Sequence, residues 1–331
     1  MKKKDIAILL PFKDHFTHSK AGSASIWIKD FNKESSYRNN LLVFGNTDSA
    51  KDLIDKKRYI NLDFSNLALQ SKNISYVNKF IKLNLKYNFK LIEIHNRPSY
   101  VHHLVKKNVK SKFVLIFHNN PLTLGGSTSV KERNELLERC DKLIFVSNWV
   151  KEKFLEGLEK QDHKKCLVIY PSINKIKKFP KKKKIITFVG KLNKSKGFHL
   201  FGSVIVKILN KHNDWKAVVI GDEPREKYNF KHENLEYKGW ITHKKTLELY
   251  NSTSISIAPS FWLEPFGRTS MEAGSRGCAT IISKRGGLIE TNQNAIYLDE
   301  LNQKKLFDKI DYLIRNKKEM LNIQRKSFQN V

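Results

Sequence analysis

Short apolar runs alternate along the chain with segments whose apolar residues recur at helical spacing. Most of the runs are rich in β-branched residues and are bounded by Gly, Pro, Asn or Ser, which is typical of strands buried in a parallel sheet. In the first half they are DIAILLP, NLLVFG, KLIEIHN, FVLIFHN, KLIFVSN and LVIYPS, and in the second half IITFVGK, WKAVVIG, LEYKGW, SISIAPS, ATIISK and AIYLD. Between them, segments such as SVIVKILNKH and KKTLELYNS predict helices.

This alternation predicts an α/β protein with two doubly wound, Rossmann-like parallel sheets. We place the first domain at 1–172 and the second at 173–314, with a C-terminal helix at about 315–331 that packs back on the first domain. The segment 174–184, NKIKKFPKKKK, lacks apolar periodicity, so we interpret it as a solvated linker; a contact with an anionic membrane is the alternative. Ligands of doubly wound sheets bind outside the carboxyl ends of the strands, so two facing sheets predict one ligand in a cleft between them.

Composition narrows the class of protein. Hydrophobic residues make up 40% of the 331 residues, which is too many for a disordered chain. No apolar run approaches the roughly 20 residues that span a bilayer, and we interpret the early run IAILL, which Pro11 follows, as a strand. Cys140, Cys166 and Cys278 form no CxxC pair, which argues against a zinc site or a disulfide framework and predicts a cytoplasmic location.

The formal net charge of +30 predicts attraction to an anionic partner: nucleic acid, a membrane surface or a phosphorylated substrate. Only 11 of the 62 basic residues are Arg, however, and abundant Lys, Asn and Ile can follow from AT-rich coding alone. Proteins that read bases rely on Arg forks, and the chain has no basic-aromatic motif of that kind. The origin of the positive charge, functional or compositional, therefore stays open. A nucleic-acid-binding protein is the non-enzyme alternative, and it rests on the charge alone.

A loop rich in lysine follows one strand of the second half. In FVGKLNKSKGFHLF the strand ends at Gly190, and Lys191, Lys194 and Lys196 precede a helix that starts near Gly197. Amides at a helix N-terminus attract anions, and lysines beside them would neutralise a diphosphate. A solvated strand-to-helix loop in a lysine-rich protein is the alternative. We expect Lys196 to be exposed in this loop. Neither a Walker loop nor a GxGxxG fingerprint is present.

Two glutamates flank the start of a later helix. Glu264 stands in the loop after SISIAPS, and Glu272 stands in the helix that begins near Gly267. Both carboxylates can accept hydrogen bonds from ligand hydroxyls, and the amides at Phe266, Gly267 and Arg268 can hold an anion. This pattern suits a nucleotide-sugar, which has hydroxyls at both ends and phosphate in the middle. A charge on an exposed helix face is the alternative for Glu272.

The stretch EPFGRTSMEAGSRG resembles the E-x7-E motif of retaining glycosyltransferases of the GT-B fold, family four. The resemblance extends over nearly the whole chain, through VGKLNKSKG, VIGDEP, SKRGGLIE, FHNN and FVSNWVKEKF. It implies a GT-B architecture of two Rossmann-like domains facing across a cleft. It also implies transfer of a sugar from a nucleotide-sugar, with UDP as the expected carrier, and retention at the anomeric carbon.

The resemblance also implies a role for each matching residue. Glu272 is expected on the ribose hydroxyls and Glu264 on those of the donor sugar. Lys191 and Lys196 are expected on the diphosphate, which the amides around Phe266 and Gly267 would also contact. The donor sugar is expected near His118, and Gly22 in KAGSASIW would form the N-terminal glycine loop. Two positions depart from the family pattern: Lys191 stands where Arg is usual, and Ala21-Gly22 stands where two glycines are frequent.

The partners follow from the same resemblance. We expect a lipopolysaccharide or other lipid-linked glycan as acceptor, with a glycerolipid as the alternative, and peripheral attachment to the inner face of the cytoplasmic membrane. An inactive sugar-nucleotide-binding scaffold would not need the intact Lys191, Lys196, Glu264 and Glu272. No Asp-x-Asp pair stands near the phosphate site, so we expect no metal and no other cofactor. The turn EIHNRPSY, with His95, either lines the acceptor cleft or merely ends a strand.

Overall fold

The computed structural model describes residues 4–47, 52–63, 71–159 and 163–331. The chain divides into two compact units, Met1–Ser172 and Ile173–Val331. Each unit is built on a parallel sheet of its own. Within the described ranges, no helix is long and apolar enough to cross a membrane.

The described part of the first unit forms a seven-stranded sheet in the order β3-β2-β1-β4-β5-β6-β7, with every pair parallel. Its strands are β1 (Ile6–Leu9), β2 (Leu41–Gly45), β3 (Tyr59–Asn61), β4 (Leu91–His95), β5 (Lys112–Phe117), β6 (Lys142–Phe145) and β7 (Cys166–Val168). Its helices are α1 (Ser23–Glu34), α2 (Lys72–Tyr87), α3 (Pro98–Lys106), α4 (Val130–Arg139) and α5 (Asn148–Leu155).

The second unit forms a six-stranded parallel sheet in the order β10-β9-β8-β11-β12-β13. Its strands are β8 (Ile185–Val189), β9 (Lys216–Ile220), β10 (Leu235–Tyr237), β11 (Ile255–Ala258), β12 (Ala279–Ser283) and β13 (Ile296–Leu298). Its helices are α6 (Phe198–Lys211), α7 (His243–Ser252), α8 (Arg268–Ser275), α9 (Gln303–Arg315) and α10 (Lys317–Asn330). Helix α6 buries Phe201, Val204, Ile205 and Ile208 in the core against the sheet, as its apolar spacing predicts.

All twelve runs predicted as strands form strands, and the prediction of doubly wound parallel sheets is confirmed. In the described part of the chain, the strand that was not predicted is β3, which pairs with β2 at the sheet edge and spans three residues that are only half-buried. Such a strand leaves no continuous apolar run in the sequence.

The strand order of each sheet reverses at one point. In the first unit this switch point lies between β1 and β4, and in the second between β8 and β11. Loops that leave adjacent strands at such a point diverge and open a crevice at the carboxyl edge of the sheet. The loops after β8 and β11 hold the lysines and the first glutamate of the sequence motifs, so the topology brings them to one crevice.

Two features of the second unit correct the sequence interpretation. The segment 174–184 is not simply solvated: Lys182 donates to the carbonyls of Tyr250 and Arg276, and Phe179 packs edge-on against Phe328 at 5.5 Å. Burial lowers the pKa of Lys182, so this lysine is an anchor rather than a surface charge.

The last helix, α10, belongs to the second unit, which runs to Val331. The sequence analysis ended that domain at 314 and expected this helix on the first domain. Gln324 of α10 donates to the carbonyl of Ser254 at 2.9 Å, and Asn292 donates to Ser327 at 3.0 Å. These are buried polar contacts, which a helical apolar pattern does not reveal.

Candidate active site

The loops after β8 and β11 are clamped together by their backbones. The amides of Phe261 and Trp262 both donate to the carbonyl of Ser195, at 2.9 and 3.0 Å. Gly197 has φ of +74°, and a Cβ there would lie 1.9 Å from the carbonyl oxygen of Pro259. Only glycine fits this close approach, so the lysine loop is held against the loop that carries Glu264.

Lys196 and Glu264 meet at this clamp. The Lys196 ammonium lies 2.6 Å from Oε1 of Glu264, which also accepts a hydrogen bond from Ser260 at 2.9 Å. The same ammonium lies 4.5 Å from the ring centroid of Trp262, within reach of a cation–π interaction. The two side chains are only 26% and 10% exposed, so the expectation of an exposed loop lysine is wrong. Burial follows from the backbone clamp, which sequence spacing does not show.

A glycine turn fixes the backbone of Glu264. The amide of Gly287 donates to the Glu264 carbonyl at 2.7 Å, and Glu264 forms a parallel bridge with Gly286. Gly286 has φ of +61°, and a Cβ there would lie 2.3 Å from that carbonyl oxygen. The glycines of SKRGGLIE therefore hold Glu264 in place from the neighbouring strand end.

Glu272 is buried, with 4% of the residue exposed, so the alternative of an exposed helix-face charge is wrong. Its Oε1 lies 2.9 Å from Nε2 of His243 and accepts a hydrogen bond from Nε of Arg268 at 3.2 Å. Burial raises the pKa of Glu272, but the hydrogen bond from His243 and the charge of Arg268 outweigh it, so the net shift is downward. Glu272 is therefore a preorganised carboxylate acceptor.

His243 is a site residue that the sequence analysis missed. The Thr242 side chain caps α7, which makes His243 the first residue of that helix, beside the buried carboxylate. A threonine before a helical pattern was the signal available in ITHKKTLELY, but it predicts a cap and not a partner for Glu272.

The start of α8 supplies backbone donors. Phe266 is buried, and Gly267 precedes the helix with φ of +102° and no side-chain cap. This φ strains any residue with a side chain, and a Cβ on Gly267 would also lie 2.3 Å from Cδ1 of Leu288. The amides at the start of α8 point along the helix axis, as an anion site requires.

The remaining lysines of the loop stay at the surface. Lys191 is exposed and follows Gly190, which has φ of +154°. Glu223, after β9, binds Arg225 in a bidentate contact of 2.6 and 2.7 Å, which lowers the pKa of Glu223 to about 2, and Lys191 contributes to that shift. Lys191 thus lies near the ionised carboxylate of Glu223. A bound phosphate would share the positive charge of Lys191 with that carboxylate.

The predicted residues of the first unit lie near its own switch point. Ser25 donates to Oδ1 of Asp14 at 2.9 Å, and a Cβ on Gly22 would lie 2.9 Å from the same oxygen. Burial raises the pKa of Asp14, opposed by Ser25 and by the nearby His95. Asp14 was not anticipated, because the sequence PFKDHF carries no motif around it.

His118 follows β5, and its ring nitrogen Nε2 lies 2.9 Å from Nδ1 of His95.

The described structure groups the predicted site residues in two sets. Gly22 and His118 belong to the first unit, and the other site residues belong to the second. Among the described residues, no cluster of three or more His, Cys, Asp or Glu side chains could hold a metal ion.

The chain is similar to known proteins in sequence and in fold. Residues 170–330 match the family model Glycosyl transferases group 1. The spore coat protein SA of Bacillus subtilis (strain 168) is 22% identical over 348 residues, which cover 93% of this chain and 89% of that protein.

Solved structures share the fold at low identity. HepE of Anabaena, determined in complex with UDP-glucose, has a TM-score of 0.76 and 17% identity, with 98% of this chain and 93% of that chain covered. Sucrose-phosphate synthase of Thermosynechococcus elongatus has a TM-score of 0.75 and 16% identity, with 98% and 94% covered. The second unit therefore matches the group 1 glycosyltransferase family, and the chain as a whole has the GT-B fold of these solved structures.

Proposed function

We propose that the protein transfers a sugar from a UDP-sugar to an acceptor hydroxyl with retention at the anomeric carbon and without a metal ion. The contact between Lys196 and Glu264 carries this proposal, because it joins a cation suited to a diphosphate to an acceptor suited to sugar hydroxyls. The similarity to HepE, which was determined with UDP-glucose, supports UDP as the carrier.

In the proposed mechanism, negative charge grows on the leaving diphosphate as the glycosidic bond breaks. Lys191, Lys196 and the amides at the start of α6 stabilise that charge, and they do so without reorganising. Glu272 accepts hydrogen bonds from the ribose hydroxyls, and Glu264 accepts them from the donor sugar. Gly22 and His118 of the first unit contribute contacts to the sugar, and no side chain acts as a covalent nucleophile.

The acceptor in this proposal is a lipopolysaccharide-type or other lipid-linked glycan at the inner face of the cytoplasmic membrane. The support is the net charge of +30, which favours an anionic lipid or a phosphorylated acceptor. Attachment is peripheral and electrostatic.

Slow hydrolysis of UDP-glucose tests the donor half of the proposal without knowledge of the acceptor. Proton NMR follows which anomer of glucose forms first, in the presence and absence of excess EDTA. Retention predicts α-glucose first, at a rate that EDTA leaves unchanged. Initial release of β-glucose would refute retention, and a rate abolished by EDTA and restored by Mg²⁺ would refute the lysine-based mechanism.

A further inference from the structure

One face of the first sheet carries a carboxylate among apolar side chains. Side chains two residues apart point to the same face of a strand, so Glu93 and His95 of β4 share one face. There Glu93 lines a cavity of about 830 Å³ with apolar neighbours, among them Ile6, Ile8, Leu91, Val114 and Ile116. Burying a carboxylate on such a face destabilises the fold unless the carboxylate is hydrogen-bonded. The hydrogen-bond partner of Glu93 is therefore the group to identify.

The partner is a chain of two histidines. Oε1 of Glu93 lies 2.7 Å from Nε2 of His95, and Nδ1 of His95 lies 2.9 Å from Nε2 of His118. His95 is fully buried and His118 is 7% exposed. Trp27 of α1 packs edge-on against the His118 ring at 5.4 Å, and the amide of His118 donates to the side chain of Asn96. The His118 ring is thus held in position as well as hydrogen-bonded.

For two neutral histidine rings beside a carboxylate, the contacts are compatible with one assignment of the ring protons. A carboxylate only accepts hydrogen bonds, so Nε2 of His95 must donate to Glu93. A neutral His95 then has its lone pair on Nδ1 and accepts a proton donated by Nε2 of His118. This arrangement satisfies both contacts without placing a positive charge on a fully buried ring. His118 is thereby left with its lone pair on Nδ1.

We propose that Glu93 and His95 are positioning residues that set the tautomer of His118, with the proton on Nε2 and the lone pair on Nδ1. Resting on the proposed function, in which His118 faces the donor sugar, this makes His118 an acceptor of hydrogen bonds from sugar hydroxyls rather than a donor. Other charged groups face the relay: Asp14, in the loop after β1, interacts electrostatically with His95, and Asp30 and Glu34 line the same cavity as Glu93.

Glu93→Gln is the variant that separates the relay from simple packing. The glutamine keeps the side-chain volume, but its amide group can donate to Nε2 of His95 and so permits the opposite tautomer. Glu135→Gln is the matched control, because Glu135 also lies beside a histidine of the first unit, 3.4 Å from Nδ1 of His102. That pair is on α3 and α4, outside the relay.

Ring ¹⁵N NMR of the labelled full-length protein at neutral pH reads the tautomers without any substrate. The wild type and Glu135→Gln should show His118 protonated on Nε2 only, and Glu93→Gln should show a mixture. His118 protonated on Nδ1 in the wild type, or a doubly protonated His95, would overturn the proposal. So would unchanged tautomers in Glu93→Gln.

Hydrolysis of UDP-glucose then tests the consequence. Loss of the partner that orients a metal-bound histidine costs about 10- to 100-fold. By analogy, we expect Glu93→Gln to lose a factor of that order in kcat, with little change in KM for UDP-glucose, and Glu135→Gln to match the wild type. An unchanged kcat in Glu93→Gln would overturn the positioning role. If the wild type neither binds nor hydrolyses UDP-glucose, the proposed function fails, whereas the tautomer measurement still decides the relay.

Discussion

The ammonium of Lys196 lies 2.6 Å from the carboxylate of Glu264, although 68 positions separate the two residues in the chain. The loops that carry them leave β8 and β11 on either side of the switch point of the second sheet. In the proposed function this ion pair holds both side chains in place, and donor binding adds the diphosphate as a contact of Lys196 and the sugar hydroxyls as contacts of Glu264.

Lys196→Ala should impair both turnover and stability. Removing one preorganised donor to a developing charge typically costs about 100- to 1,000-fold in rate. The substitution also leaves Glu264, whose side chain is 10% exposed, without its cation, so the free energy of unfolding should fall by about 1–3 kcal/mol. Hydrolysis of UDP-glucose and urea denaturation measure the two effects.

Lys191→Ala is the comparison for that variant, because Lys191 belongs to the same loop but is exposed. It should slow turnover while the free energy of unfolding changes by no more than about 0.5 kcal/mol. Equal loss of stability in the two variants would show that the ion pair does not stabilise the second unit.

Glu272→Gln should weaken the binding of UDP itself. A hydrogen bond to a charged group contributes about 1.5–3 kcal/mol, which corresponds to roughly a 10- to 150-fold loss of affinity. Glu264→Gln should spare UDP binding and reduce turnover, since the proposed partner of Glu264 is the sugar. Titration calorimetry with UDP separates the two, and an equal loss of affinity in both variants would contradict this division of roles.

The contribution of Glu272 to stability should depend on pH. Burial raises its pKa, but His243 and Arg268 bring it below the ordinary value of 4.5. A carboxyl whose pKa is lower in the folded than in the unfolded state stabilises the folded state at pH values above its unfolded pKa. This contribution is lost as the pH falls through its folded pKa. Glu272→Gln should therefore be less stable than the wild type at pH 7, and the deficit should shrink below 4.5. If urea denaturation gave the same loss of stability for Glu272→Gln at pH 7 and below pH 4.5, this would argue against a charged Glu272.

The fold was largely predictable because the buried parallel strands form continuous apolar runs. β3 escaped because an edge strand of three half-buried residues has no such run. The role of 174–184 was misjudged because a lysine-rich composition suggests a solvated segment, whereas Lys182 is tied to two carbonyls of the second unit.

The site was predictable as a set of residue types and not as a set of contacts. The spacing of Glu264 and Glu272 was visible in the sequence, but His243, the hydrogen-bond partner of Glu272, lies 29 positions away on another helix. The relay from Glu93 through His95 was equally hidden. Its one signal was a glutamate inside the apolar run KLIEIHN, and only the register of β4 and β5 brings His118 to it.

Binding to membranes should be electrostatic. With a net charge of +30, the protein should sediment with vesicles of anionic phospholipid at low salt and be released as the salt concentration rises, because added ions screen exposed charges. Vesicles of zwitterionic lipid are the control. No sedimentation with anionic vesicles at low salt would make the charge a matter of composition alone.

Thermal unfolding in the presence of UDP, GDP and ADP tests most directly whether the second unit binds a nucleotide as proposed. A ligand at 100 times its dissociation constant stabilises the folded state by about 2.7 kcal/mol. We predict that UDP raises the melting temperature of the wild type more than GDP or ADP does, and that Glu272→Gln loses most of this rise. If none of the three nucleotides raised the melting temperature at millimolar concentration, the assignment of Glu272, Glu264 and Lys196 to a nucleotide-sugar would be contradicted.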